Sequence, residues 1–197
     1  MNPFDLKTLV LNANYQPVDL FPLMVIPVQD AVGRCYSGEP TCRVEVEYPI
    51  EIANRNARWS LKWPSIIVRF NTNIYHKDHV HMNHTTLFYR DMGLCAYCSN
   101  HVPIRKGTID HVQPISKGGK NVWTNVVWSC GTCNAKKDNH LPKGEWTPRN
   151  RLWVPTYWDL VRHCKKFPLT VYDIRWMDYL PDWEGEIRLW ENYDVRG

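Results

Sequence analysis

No apolar stretch in this sequence approaches the length needed to cross a bilayer. The opening residues, MNPFDLKTLVLNANYQ, break their apolar run too soon to form the n- and h-regions of a secretory leader. Internal repeats and low-complexity segments are also missing, which excludes a repeat architecture. Net charge is scarce: +4 over 197 residues is too mild to argue by itself for a polyanionic partner. Disulfide logic fails too, because the seven cysteines are odd in number and four of them fall in two Cys-x-x-Cys pairs. Thiolates in a reducing cytoplasm fit that pattern, with Cys35, Cys42 and Cys164 expected as small buried hydrophobes.

What is present is an ordinary globular composition, 44% hydrophobic against 22% charged, enough for one good core and one small module held another way. Ten Trp, ten Tyr and five Phe lie mostly outside residues 95–144 and suggest surfaces that pack, bind or pair. Charge is unevenly spread. Between Cys95 and Gly144 there are seven Lys or Arg (105, 106, 117, 120, 136, 137, 143) against two acids, Asp110 and Asp138. A local basic field of this kind is the footprint of a phosphate-binding surface.

Short apolar runs dominate the first 75 residues and predict a small mixed or mostly β unit. TLVL (8–11) and the β-branched SIIVRF (65–70) read as strands, and CRVEVEYPI alternates as a half-buried strand ending at Pro49. Pro27 separates a strand from a helix in LMVIPVQDAVGRCY. His76, His79, His81 and His84 are dense, yet their spacing fits no ligand geometry, so a solvent-facing or nucleic-acid-facing loop is expected there. A short helix should start at Thr85 or Thr86 and carry Leu87 and Phe88 to Arg90. Beyond Pro148, YWDLVRHCKKF places Tyr157, Leu160, Val161 and Cys164 at helical spacing. The Trp-rich tail has no clean period and is expected to pack over the N-terminal unit or a second subunit. The domain reading is 1–84, a metal module within 85–144, and an aromatic-rich C-terminal arm, 145–197.

Cys95-x-x-Cys98 and Cys130-x-x-Cys133 are separated by 31 residues. Two such knuckles make a closed tetrahedral thiolate site, which suits a structural Zn²⁺. Between them, TIDHV places Asp110 and His111 side by side on a strand, so they point to opposite faces. Asp110 can hold a hard divalent cation, and a neutral His111 can accept a proton from an attacking water. ISKGGKN follows as a polar loop, WTNVVW as a second strand, and residues 132–138 as a helix with Thr132 near its N-cap. The order is β, loop, β, α.

LCAYC…GTIDHVQPISKGGKNVWTNVVWSCGTCNAKKDN resembles the HNH nuclease family, in its four-cysteine, zinc-stabilised branch of bacterial and phage type. The resemblance is close over about 50 residues and extends more weakly to LVLNANYQPVDL, PSIIVRF and LPDWEGEIRL. It implies an α+β fold with a ββα-metal (His-Me finger) module. His111 would be the general base and Asp110 one ligand of a catalytic Mg²⁺ or Mn²⁺. Asn134 would be the second ligand, and Asn125 the middle residue that ties the loop and holds His111 in register. The implied activity is hydrolysis of DNA, most simply double-stranded, to 5′-phosphate and 3′-hydroxyl ends. Lys117, Lys120, Lys136, Lys137 and Arg90 would meet the phosphate backbone. Each residue has a plainer role open to it: Asp110 as a surface carboxylate, His111 as a structural histidine, Asn134 as a helix cap. His140 could add a phosphate contact or a ligand, and Asp138 could reach the ion through water.

The competing reading is a zinc-stabilised DNA-binding or packaging accessory protein that does not cut. The two differ at Asp110 and His111, because a pure binder has no use for an acid that repels phosphate. Packaging, restriction, homing and host defence all remain open as settings. A one-metal site cuts one strand at a time and the aromatic segments offer a surface, so a homodimer also stays open.

Overall fold

A computed structural model of the chain describes residues 5–21, 23–37, 40–53, 60–70 and 79–190. The content is α+β, and none of the described helices is long and apolar enough to cross a membrane. The chain divides into two compact units, residues 1–75 with 165–197, and residues 76–164. These bounds differ from the three consecutive segments expected above. The Trp-rich tail joins the N-terminal residues, and the helix after Pro148 stays with the cysteine module.

In the first unit, strands β1 (Lys7–Asn12), β2 (Val25–Pro27), β3 (Cys42–Ala53) and β4 (Ser60–Arg69) form one sheet in the order β2-β1-β4-β3. β1 runs parallel to β4, with Leu9 opposite Ile66 and Leu11 opposite Val68; the other pairings are antiparallel. The continuous apolar run in β1 is buried along nearly its whole length, as a strand covered on both faces requires. Alternation sorts its side chains. Val10 and Ile67 meet Ala31 of helix α1 (Val28–Tyr36), while Leu9, Leu11, Ile66 and Val68 meet Val171, Trp176 and Leu180 from the tail. Trp176 is fully buried, and its indole N–H donates to Ser65 O at 3.1 Å. β3 does not end at Pro49; it continues to Ala53 through a register shift between Glu47 and Glu51. Pro49 lacks the N–H a regular ladder needs there, so the irregularity falls where the sequence placed a stop. Of the three cysteines outside the Cys-x-x-Cys pairs, Cys42 and Cys164 are buried and Cys35 is half-buried; the sulfurs of Cys35 and Cys42 lie 2.7 Å apart.

The tail's lack of period has a simple cause. Residues Ile174–Tyr179 form a 3-10 turn between the short parallel strands β7 (Leu169–Val171) and β8 (Ile187–Leu189), so one Trp anchors the segment where a helix would present a stripe.

In the second unit, helix α2 (His84–Arg90) is capped by Asn83, whose side chain accepts from Thr86 N while Thr86 Oγ1 accepts from Asn83 N. Strands β5 (Gly107–His111) and β6 (Val126–Cys130) pair antiparallel, and helix α3 (Gly131–Lys137) follows directly. Trp123–Asn125, expected within the second strand, is instead a 3-10 turn. Trp128 is fully buried on β6, edge-on to the rings of Phe88 and His84. Helix α4 (Tyr157–Cys164) buries Leu160, Val161 and Cys164.

Candidate functional site

Four cysteine sulfurs gather at the junction of β6 and α3. Cys95 and Cys98 come from the turn after α2, Cys130 ends β6, and Cys133 lies in the first turn of α3; their sulfurs all fall within 4.8 Å of one another. A tetrahedral zinc with Zn–S bonds of about 2.3 Å sets its sulfurs about 3.8 Å apart, so this cluster is compatible with structural zinc. The N-cap of α3 is Cys130, whose sulfur accepts from Cys133 N at 3.3 Å; Thr132, expected near the cap, lies inside the helix. Burial pushes the Cys95 thiol up, but backbone groups of Cys98, Cys130 and Tyr97 outweigh it and bring the group down to about 6. Burial and the neighbouring sulfurs push Cys133 the other way, well above the ordinary thiol range. Crowded thiols that deprotonate unequally are a donor set that a soft divalent cation completes.

Starting at Asn134, the residue after Cys133, an open cleft of about 340 Å³ is lined by Asp110, His111, Ile115, Asn134 and Asp138, among others. Its floor is a match between two periods. Thr108 and Asp110 are two apart on β5 and share a face, whereas Asn134 and Lys137 are three apart on α3 and share a face. Thr108 meets Asn134, and Asp110 meets Lys137.

Each pairing fixes an atom. The Thr108 hydroxyl donates to Ser129 O at 3.2 Å, so toward Asn134 it can only accept, and Asn134 Nδ2 donates to it at 2.9 Å. The amide oxygen of Asn134 therefore points away from Thr108, free for the cleft. Asp110 is buried; its Oδ2 accepts the Tyr97 hydroxyl, and Lys137 Nζ lies 3.1 Å from each carboxylate oxygen. Burial, then the bond to Asp110, raises Tyr97 far above the phenol range and keeps it a donor. His111 is half-buried, and its Nε2 lies 3.1 Å from Asn121 Oδ1; a ring donating to that oxygen through Nε2 would carry its lone pair on Nδ1.

The loop between β5 and β6 is tied by Asn125. Its Oδ1 accepts from Gln113 N at 2.9 Å, and its Nδ2 donates to Gln113 O at 3.0 Å and Lys120 O at 2.9 Å. The two glycines are needed for different reasons. Gly118 has φ +81°, and a Cβ on Gly119 would stand 1.9 Å from Gln113 O.

Two expected phosphate contacts are corrected. Arg90 is 2% exposed and donates to Trp123 O and Val126 O, each at 2.7 Å, while its guanidinium pairs with buried Asp91. Lys137 is 0% exposed and donates to Asp110 and, at 2.8 Å, to His111 O. Neither side chain reaches solvent, so neither touches a backbone phosphate. Lys117, Lys120 and Lys136 are exposed, as are Arg105 and Lys106 on the same module. His140 Nδ1 lies 2.7 Å from Lys137 O, and Asp138 is exposed at the cleft edge. His79 and His81 are exposed, and His84 sits on Gly107 O; His76 lies outside the described residues. Among the described residues, the four cysteines are the one group of three or more candidate His, Cys or acidic ligands.

Knuckles, strand pair, tied loop and helix stand in one order along the chain. Residues 95–144 match the family model of the HNH endonuclease. That match, over 50 of the 197 residues, suggests a nuclease or nucleic-acid-related function for the matched segment. No curated protein matches the chain significantly.

Sequence reasoning missed three members of the site: Tyr97, Thr108 and Asn121. Thr108 had a signal, since it sits two residues before Asp110 on the same strand face. Tyr97 and Asn121 had none, because their contacts depend on how the knuckle and the loop fold back.

Proposed function

We propose that the chain is a metal-dependent DNA endonuclease whose HNH segment, residues 95–144, adopts the ββα-metal arrangement. The single observation that supports this best is the convergence on one cleft of a buried carboxylate (Asp110), an amide oxygen turned free (Asn134) and a half-buried imidazole with an open Nδ1 (His111).

The donor set fits a hard divalent cation. Each carboxylate oxygen offers two acceptor positions, and Asp110 Oδ1 accepts only from Lys137, so one position stays open on a residue that lines the same cleft as Asn134. Asp110 and Asn134 would hold Mg²⁺ or Mn²⁺, which supplies Lewis-acid stabilisation of the charge building on the phosphate and the leaving oxygen. The remaining chemistry belongs to the side chains. His111 Nδ1 takes a proton from water as the water oxygen bonds to phosphorus. The bond from phosphorus to the 3′-oxygen breaks, leaving 5′-phosphate and, after protonation from solvent, 3′-hydroxyl. Lys117, Lys120 and Lys136 would grip neighbouring phosphates and position the duplex without reading its sequence. Asn125 and the glycine pair hold the loop that carries Gln113 next to the end of β5.

One observation favours the non-cutting reading. Lys137 compensates the Asp110 charge, so the acid repels phosphate less than its sequence context suggests. Supercoiled plasmid with Mg²⁺ or Mn²⁺ separates the two. We expect nicked or linear product from the wild type, none after His111→Ala, and none with EDTA added just before the substrate. Equal behaviour of His111→Ala and wild type would sink the nuclease reading.

A further inference from the structure

Lys137 is a buried ammonium with no exposed surface, and it sits on the carboxylate that the functional reading assigns to the cation. Its three N–H donors match the three oxygens within 3.1 Å: Asp110 Oδ1, Asp110 Oδ2 and His111 O. Lys137 lies three residues after Asn134 on α3, so one side chain ties the carboxylate, the backbone of the histidine and the amide-bearing helix together. Tyr97 adds a third contact to the same carboxylate from within the Cys95-x-x-Cys98 turn.

Resting on the proposed function, we propose that Lys137 is a built-in counter-cation: it positions Asp110 and His111 and, by its charge, weakens divalent-cation binding in the DNA-free protein. Two properties follow from one geometry. The carboxylate is locked in place before any ion arrives, which preorganises the site. An incoming divalent ion meets a partly neutralised ligand and an ammonium a few ångströms away, in surroundings where charges are poorly screened. Full cation affinity is then recovered only when a phosphate adds its own negative charge, so metal and DNA enter cooperatively. Tyr97 acts in the same direction with less force, because a hydroxyl donor draws charge from Asp110 Oδ2 without a formal charge of its own.

The test is Mn²⁺ binding to the full-length, zinc-loaded protein without DNA, followed by electron paramagnetic resonance. Wild type, Lys137→Met, Lys137→Gln, Tyr97→Phe and Asp110→Asn are compared, with zinc content and melting temperature measured for each. We expect Lys137→Met and Lys137→Gln to bind Mn²⁺ about tenfold more tightly, on a single removed charge at this separation, while melting lower and cutting more slowly. Tyr97→Phe, which loses only a hydroxyl, shifts affinity the same way by about two- to threefold and keeps the proposal testable if the lysine variants do not fold. A merely structural lysine moves stability and affinity down together. Unchanged or weaker binding in the folded variants, Tyr97→Phe included, overturns the inference. If Asp110→Asn binds Mn²⁺ as the wild type does, the cation is not at Asp110, and the functional reading falls and takes this inference with it.

Discussion

Arg90 separates two views of the same residue, a phosphate anchor and a core strut, and the structure puts a size on the difference. Arg90→Met removes a guanidinium whose Nε and Nη2 pair with Asp91 Oδ1 and Oδ2 and whose Nη1 and Nη2 serve the carbonyls of Trp123 and Val126. Both side chains of the ion pair are within 1% of complete burial. Asp91 also accepts Trp128 N at 2.8 Å, so the pair brackets the entry to β6 from both sides. Losing one partner of a buried pair costs about 3–5 kcal/mol, most of it the charge left behind. At about 4 °C per kcal/mol for a unit of this size, the melting temperature should fall by roughly 12–20 °C. The assay is thermal unfolding by circular dichroism, beside DNA affinity measured against salt. Adding Asp91→Asn to Arg90→Met should recover part of the loss, because the new side-chain amide oxygen still accepts from Trp128 N and no charge is stranded. A folded Arg90→Met that melts within about 2 °C of wild type, yet loses about one unit of salt slope in DNA binding, would refute the reasoning and return Arg90 to the phosphate backbone.

Cys133→Ser should lose the protein's zinc, read by metal analysis after dialysis, and melt at least about 10 °C lower, because metal binding at such a site is folding energy; a zinc-free wild type of equal stability would refute this. Gly119→Ala should cost roughly 2–3 kcal/mol and slow any cleavage, since its Cβ lands on Gln113 O, whereas Gly131→Ala, with nothing within 4 Å, should leave stability unchanged or raise it. Burial pushes the Asp173 carboxyl up, but hydrogen bonds from Arg175 and Ser65 hold it below its usual range. A depressed folded-state value adds stability that is full above about pH 4 and lost as pH falls through the folded value. Arg175→Met should therefore lower the melting temperature at neutral pH and flatten its acid limb, and an unchanged limb would show that the pair contributes nothing.

The local elements were legible where one period acts alone. TLVL announces a strand buried on both faces, Pro27 divides β2 from α1, and Leu160, Val161 and Cys164 mark one face of α4. The metal cluster was legible for a similar reason, since Cys-x-x-Cys forces two sulfurs into one turn whatever surrounds it. What stayed hidden needs two elements at once. Nothing in the composition separates Lys137 from Lys136; one is fully buried and the other exposed. The distinction appears only when the two-residue repeat of β5 is laid against the three-residue repeat of α3. Thr108 then faces Asn134, and the next residue on each face, Asp110 and Lys137, must face each other. Arg90 escaped for the converse reason. A basic residue just before the first knuckle reads as a phosphate anchor, and only the closure of β6 against α2 encloses it.

The same alignment explains why the cysteine cluster and the proposed active-site cleft share so short a piece of chain. Helix α3 has seven residues, too few to hold a direction by its own hydrogen bonds. Its first turn is fixed by Cys130 and Cys133, and its last by Lys137 buried on β5. Asn134 sits between these two anchors, so its amide is carried on a helix clamped at both ends and oriented by Thr108. The proposed metal environments would also differ in kind, four sulfurs against oxygens, so a hard cation such as Mg²⁺ would not be held by the thiolates. The dependence therefore runs one way. A cation leaving the proposed site at the cleft would leave both helix anchors intact, whereas loss of an ion from the thiolates would free the first turn of α3 and, through Tyr97, one of the bonds that hold Asp110.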